Sequence, residues 1–475
     1  MANIKRSYVH SLGKSTDDVT GSCFELVTTS GDRVLIDCGM KQSSDDLKDY
    51  RDNIEIIKNL KTKRLDAIVL SHSHIDHSGN IPAAFANGFT GVVYMPKNSK
   101  DIVKLLWLDS AKIMQQNQQL LKRKGNVSGK PTYTAEDVEV AYNHIVECEF
   151  NKIIQITEDV SFELRSSNHL VNAAQALIYV NTGNATKALA YCCDLGSLTW
   201  DNYYINNFEP IEKADIAIVE STYATDRKGN ARKNRDKDIE KIKALVENMY
   251  EERGRIIIPT FSLGRSADLL TVLYETFADD PDFNIPVVFD AVLGNQINEN
   301  YDKWIPKNHE LWNKVWSWKN LVKVKDWNES VQWQNYTAPC VILGSGGFIQ
   351  GRSTAYIKHW LSDPHTTILF CGFSGADSRS KGYQIQHNKE YPIVDLDGYK
   401  VKNNAKIVSL KSFSSHISHE EMLEYYSNMN CNKIYLVHGS KERKEAFKPL
   451  LEDEISKKNK TSKVVIPDSE TKMYL

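Results

Sequence analysis

The segment SHSHIDHSG places His72, His74, Asp76 and His77 within six positions, directly after the apolar run DAIVL. His72 and His74 are two apart, so in an extended loop both imidazoles project to one side. Asp76 and His77 follow where SGNIPAAFANG turns into a helix, which aims them at a second point nearby. Imidazole and carboxylate are the donors zinc favours at hydrolytic sites. A merely polar loop rarely packs four such groups behind a buried-looking strand, so metal-assisted hydrolysis is the expected chemistry.

Six short β-rich runs end abruptly in a polar group. RVLI ends at Asp37, DAIVLS at His72, VSFELRSSN at His169, ALAYCC at Asp194, ADIAIV at Glu220 and KIYLV at His438. A lone histidine at a strand end, such as His169 or His438, is by itself more often a hydrogen-bonded core or surface residue. Six such ends together point to one shared site, because ligands collect in the loops at one end of a layered α/β sheet. His10, His144, His309, His359, His365 and His387 have no ligand partner nearby in the sequence and read as ordinary histidines. His419 stands too near His416 to be sorted either way.

From about residue 225 the pattern changes. A basic stretch containing Arg227, Lys228, Arg232, Lys233 and Arg235 reads as a solvated linker, more readily than as the border of a cleft, and leads into an amphipathic helix. RIIIP, APCVILGS and TTILFCGF then read as strands alternating with the helices SADLLTVLYETFA and STAYIKHWLSD. That alternation predicts a small α/β unit with a largely parallel sheet, inserted between Glu220 and the late histidines. Within it Gly264 and Arg265, and again Gly346, Gly347 and Arg352, stand at strand-to-helix turns, where backbone N–H groups and a guanidinium suit phosphate.

Composition narrows the class. With 475 residues the chain exceeds one ordinary core, and 41% hydrophobic and 25% charged residues are normal for a globular protein. No run approaches the roughly 20 apolar residues of a membrane span, and the start, MANIKRSYVH, does not read as a signal peptide. The eight cysteines are scattered with no CxxC pair, so a disulfide framework is not expected and a cytoplasmic location is. A net charge of −2 excludes the strongly basic nonspecific nucleic-acid binders, so any nucleic-acid contact must come from a local groove or from metals.

HSHIDH resembles the signature of the metallo-β-lactamase superfamily, and the ordered set of segments resembles its β-CASP branch. That branch includes ribonuclease J and the endonuclease subunit of the cleavage and polyadenylation specificity factor. The set runs from LIDCG through HSHIDH, VESTY, IPTFSLGRSADLL and SFSSH to LVHGS. The resemblance implies an αββα metallo-β-lactamase sandwich over 1–224 and 395–475, interrupted by an α/β β-CASP domain over 225–394. It implies two zinc ions, one held by His72, His74 and His169, the other by Asp76, His77 and His438, with Asp194 bridging. Asp37 would orient the ligand loop, and Glu220 would orient His416. Asp76, His416 and Glu220 would be the catalytic groups, and Ser415, Arg265, Gly346, Gly347 and Arg352 candidate substrate contacts.

The implied activity is hydrolysis of RNA by a hydroxide shared between the zinc ions, leaving a 5′ phosphate and a 3′ hydroxyl. Histidine at position 438 is the family feature that favours RNA; single-stranded DNA is the alternative substrate, and a non-catalytic RNA-binding subunit the alternative role. The short stretch after His438 slightly favours endonuclease cleavage. A homodimer is compatible with the family, and no membrane partner is expected. Five positions depart from the family's usual pattern. Asn168 and Asn172 stand where glycine is usual, Ser418 where an acid is usual, and Ala224 and Arg352 where glycine is common.

Overall fold

The computed structural model describes residues 6–43, 45–123, 130–226, 234–346, 349, 351–372 and 380–475. The chain divides into two compact units, residues 1–229 with 415–475, and residues 230–414. The first unit opens with strands β1 (Tyr8–Ser11), β2 (Phe24–Val27), β3 (Arg33–Ile36), β4 (Ala67–Val69), β5 (Val92–Pro96) and β6 (Ile145–Cys148). It continues through β7 (Ile154–Gln155), β8 (Val160–Ser166), β9 (Ala174–Asn181), β10 (Thr186–Cys192) and β11 (Ile216–Glu220). The second unit holds β12 (Arg255–Thr260), β13 (Val287–Asp290), β14 (Leu321–Lys323), β15 (Cys340–Ser345) and β16 (Thr366–Phe370). A hairpin, β17 (Ile393–Leu396) with β18 (Tyr399–Lys402), and β19 (Lys406–Ser409) complete it. The chain returns to the first unit with β20 (Lys433–Val437), β21 (Lys463–Val465) and β22 (Met473–Tyr474).

Two seven-stranded sheets form the first unit, ordered β22-β1-β2-β3-β4-β5-β6 and β21-β20-β11-β10-β9-β8-β7. Alternate residues along each strand serve different cores, as the two-residue period of a strand requires. Leu189, Tyr191, Ile216, Ile218, Tyr435 and Val437 join Phe24, Leu26, Val34 and Ile36 between the sheets. Their neighbours Ala190, Ala217, Val219 and Leu436 face the helices His419–Asn428 and Lys441–Lys457. On the first sheet Leu35 and Ile68 pack on Ile56, Val103 and Trp107 of the helices Asp46–Asn59 and Lys100–Arg123. The result is an αββα sandwich. Coverage on both faces is why IAIVE and KIYLV are nearly unbroken apolar runs rather than alternating ones.

The strand directions bring one set of ends together. β10, β11 and β20 are parallel, and β8 shares their direction because both it and β10 are antiparallel to β9. β3 and β4 are parallel in the other sheet. Asp37, His72, His169, Asp194, Glu220 and His438 all lie at or just beyond carboxyl ends of these strands.

The second unit carries a six-stranded sheet, β14-β13-β15-β12-β16-β19, in which every pair is parallel, with helices between successive strands. This matches the alternation in the sequence. Pro259 sits in its central strand, yet pairing with β16 stops at Ile257, so the residue without an N–H has a ladder partner on one side only. Among the described residues no helix is long and apolar enough to cross a membrane.

Candidate metal centre

Three of the strand ends are bent by the backbone itself. Asp37, Asp194 and His438 adopt left-handed φ values of 59°, 56° and 52°. Such conformations cost roughly 1–3 kcal/mol each and persist where surrounding bonds over-determine them. Close backbone approach accompanies two of them. A Cβ added to Gly39 would lie 1.7 Å from Asp76 O, and one added to Gly196 would lie 1.6 Å from Asn168 O. Only glycine lets each turn seat against the neighbouring ligand loop.

The delivered side chains form two groups that share one carboxylate. Asp194 Oδ2 lies 3.5 Å from His72 Nε2 and 3.5 Å from His169 Nε2. His74 Nδ1 lies 3.2 Å from His72 Nε2 and 3.3 Å from His169 Nε2. The other carboxylate oxygen, Asp194 Oδ1, lies 3.4 Å from His77 Nε2 and 3.3 Å from His438 Nε2. Asp76 Oδ2 closes that group at 3.9 and 3.8 Å from the same two nitrogens. A tetrahedral zinc with bonds of roughly 2.0–2.1 Å requires ligand atoms about 3.3–3.4 Å apart, close to these spacings. His77 Nε2, His438 Nε2 and Asp194 Oδ1 are buried and make no hydrogen bond. Leaving such atoms unsatisfied costs about 1–3 kcal/mol apiece, and a cation among them removes that cost. The donor set therefore fits metal ions.

The nitrogens turned away from the centre are held. Asp37, fully buried, accepts from His77 Nδ1 at 2.6 Å, Tyr191 OH at 2.7 Å and Ser71 Oγ at 2.8 Å. Its other oxygen accepts from Ser71 N–H at 2.7 Å, which pins the start of the HSHIDH loop. Ser71 Oγ also lies 3.0 Å from His72 Nδ1. His169 Nδ1 lies 3.3 Å from the carbonyl oxygen of Ser415, and His438 Nδ1 3.1 Å from Thr222 Oγ1. Partners of this kind orient ligating imidazoles and fix their tautomers.

Burial holds the His72 and His169 imidazoles well below their ordinary range and pushes His74 down to about 4. These rings are neutral near pH 7, which is the form that binds metal. For His77 burial opposes the proton, but Asp194, Asp37 and Asp76 outweigh it and raise the value well above the usual one. The same carboxylates would favour a metal cation in the proton's place. Burial likewise opposes the charge on Asp194, yet His438 and His77 carry it well below the carboxylate range.

A third group adjoins the first two: Asp194, Glu220 and His416. Glu220 is wholly buried; its Oε1 accepts from Leu195 N–H at 2.5 Å, and its two oxygens lie 3.3 and 3.2 Å from His416 Nδ1. The His416 ring lies 4.6 Å from that of His169, centroid to centroid, and its side chain is 20% exposed.

Arg265, Gly346 and Arg352 belong to the second unit. Arg265 and Arg352 begin the helices Arg265–Phe277 and Arg352–Trp360 of the second unit. The Arg265 guanidinium stacks over Phe261. Arg352 Nε lies 3.6 Å from the buried Asp290 carboxylate, with the guanidinium over Trp327. Gly346, at φ 105°, donates to Thr260 O. Gly347 lies outside the described residues, as do Arg227, Lys228, Arg232 and Lys233. Four of the histidines read as ordinary have local partners: His10 on Glu25, and His144, His309 and His387 on backbone carbonyls. His419 Nδ1 bonds Ala224 O. Tyr191, Ser71 and Thr222 were not singled out in the sequence; the only signal was that each stands inside or beside a strand-end motif.

The departures from the family pattern also find local reasons. Asn168 and Asn172 have φ of 55° and 58°, the region glycine occupies freely and asparagine tolerates best among other residues. Ser418 caps the helix His419–Asn428 in a capping box with Glu421.

Profiles of known families match three stretches of the chain. The profile described as Metallo-beta-lactamase superfamily matches residues 16–134, Beta-Casp domain matches 267–382, and Zn-dependent metallo-hydrolase RNA specificity domain matches 400–467. The chain is 27% identical over 446 residues to transcription termination factor FttA of Methanocaldococcus jannaschii, covering 90% of this chain and 66% of that protein. It is 26% identical over 442 residues to a ribonuclease of Thermus thermophilus, covering 91% and 94%. To Integrator complex subunit 11 of Danio rerio it is 25% identical over 449 residues, covering 92% and 70%.

Proposed function

This chain belongs to the β-CASP branch of the metallo-β-lactamase superfamily, and from that premise we propose that it is a zinc-dependent ribonuclease. The observation that carries the reading is the Asp194 carboxylate, whose two oxygens face separate histidine groups at 3.3–3.5 Å. His72, His74 and His169 would hold one zinc ion, Asp76, His77 and His438 a second, with Asp194 shared. When bound, such ions supply Lewis acidity to a water and to the phosphoryl oxygens.

The chain's own groups complete the chemistry. Asp37 keeps His77 presenting Nε2 to the centre. His416 donates through Nδ1 to Glu220, so Nε2 is the nitrogen that would meet the substrate. With Nδ1 held on the Glu220 carboxylate, a protonated His416 would present Nε2–H to the departing 3′ oxygen. The products are a 5′ phosphate and a 3′ hydroxyl. RNA is favoured because the RNA specificity profile covers both His416 and His438, and because one relative is named a ribonuclease. Eight buried free thiols support a reducing compartment, the cytoplasm.

The test is an incubation of purified protein with end-labelled RNA and single-stranded DNA, with and without a chelator. RNA cleavage that the chelator stops and zinc restores is expected, and the fragment pattern separates internal cuts from end trimming. Cleavage of DNA alone, or cleavage indifferent to the chelator, overturns the reading. RNA retention without cleavage would make the chain a non-catalytic subunit.

A further inference from the structure

We propose that Thr222 is a positioning residue for His438, selecting which nitrogen of that imidazole faces the metal centre. The inference rests on the metal-centre reading above.

His438 follows β20 with a left-handed backbone, and the two residues after β11 hold it there. Ser221 Oγ donates to Val437 O at 2.6 Å, and Ser221 N–H donates to His438 O at 3.3 Å. Thr222 Oγ1 lies 3.1 Å from His438 Nδ1 and 3.4 Å from His438 O. A hydroxyl carries one proton and two lone pairs. When its proton goes to the His438 carbonyl, a lone pair accepts from Nδ1–H. The neutral ring then carries its lone pair on Nε2, the atom 3.3 Å from Asp194 Oδ1. The opposite tautomer would aim an N–H at the centre and remove the ligand.

Thr222 is itself tied down. The Arg443 guanidinium, from the helix Lys441–Lys457, donates to the Thr222 carbonyl. A Cβ on Gly439 would lie 2.5 Å from Ser221 Oγ, so the turn has no room to shift toward Ser221. Other ligands have stronger support, since His77 bonds the Asp37 carboxylate directly and His72 reaches it through Ser71. The Nδ1 side of His438 rests on a neutral hydroxyl, so removing that hydroxyl takes away the side-chain partner of Nδ1 seen among the described residues.

Thr222→Val keeps the shape and removes the hydroxyl; Thr222→Ser keeps the hydroxyl. Zinc content and affinity are measured by competition with a chromophoric chelator, and cobalt(II)-loaded protein gives a visible spectrum of the ligand set. Thr222→Val should weaken binding of one ion by about 10–100-fold and alter the cobalt spectrum, while Thr222→Ser matches wild type. Melting of the metal-free variants checks folding, and Thr222→Ala replaces Thr222→Val if the valine does not fit. Wild-type zinc affinity and spectrum in a folded Val or Ala variant overturn the assignment, as does a Ser variant as weak as Val. The readout is metal binding, so a chain that binds zinc but leaves RNA intact sinks only the ribonuclease reading. A wild-type chain that binds no zinc overturns both.

Discussion

A wholly buried carboxylate such as Glu220 is costly unless it is bonded, and here its bonds come from Leu195 N–H and the His416 ring. Since Leu195 follows Asp194, one carboxylate aligns His416 and braces the turn that presents Asp194. His416→Ala should therefore lower turnover by about 10²–10⁴-fold while metal analysis finds the zinc content unchanged. Zinc lost in that variant would place His416 among the ligands instead. Asn168 shows how a departure from the family pattern is accommodated. It accepts the left-handed backbone, and its amide donates to the carbonyls of Ser197 and Trp200 at 2.8 and 2.9 Å, bonds a glycine could not make.

At the scale of elements, the start of the helix His419–Asn428 links packing to the site. Ser418 Oγ accepts from Glu421 N–H, Glu421 Oε2 returns to Ser418, and Glu421 Oε1 accepts from Ser197 Oγ and Leu198 N–H. Ser418→Ala should cost about 1 kcal/mol in urea unfolding, the ordinary loss of an N-cap. β2 carries a second such device. Glu25, 1% exposed, bonds Arg33 at 2.9 Å and His10 at 2.8 Å. Burial opposes its charge, but these partners carry its pKa below the usual value. A depressed pKa stabilises the fold above the unfolded value of about 4.3 and ceases to as pH falls through the folded one. Glu25→Gln should thus cost about 1.5–3 kcal/mol at pH 6, and the gap from wild type should close toward pH 3 in urea melts. The strands were legible as apolar runs with polar ends. Their order was not, because β11 takes β20 as its neighbour across more than two hundred residues of chain.

The whole molecule folds its first unit from two separate stretches, with β20, β21 and the two late helices completing the second sheet and its outer layer. The candidate metal groups draw on both stretches, since His438 comes from the later one. Metal bound by these groups would therefore couple to the stability of the unit as a whole. Zinc at a hundredfold excess over its dissociation constant should stabilise the protein by about 2.7 kcal/mol and raise its melting temperature. Asp194→Ala, which removes the shared carboxylate, should abolish most of that rise. An equal rise in both proteins, read by calorimetry, would detach Asp194 from metal binding.

The HSHIDH loop could be read from the sequence alone because its four donors are contiguous, and chain geometry over six residues already sets them on one turn. The layered α/β architecture was legible for a similar reason: burial on both faces writes itself into local apolar runs. Only the tertiary structure decided which oxygen of Asp194 meets which histidines, and which groups stand behind the rings. Tyr191 bonds Asp37 across 154 residues, and Thr222 meets His438 across 216. Side-chain directions at those points follow from left-handed turns seated between two packed sheets, and no local pattern encodes where such a turn will meet its partner.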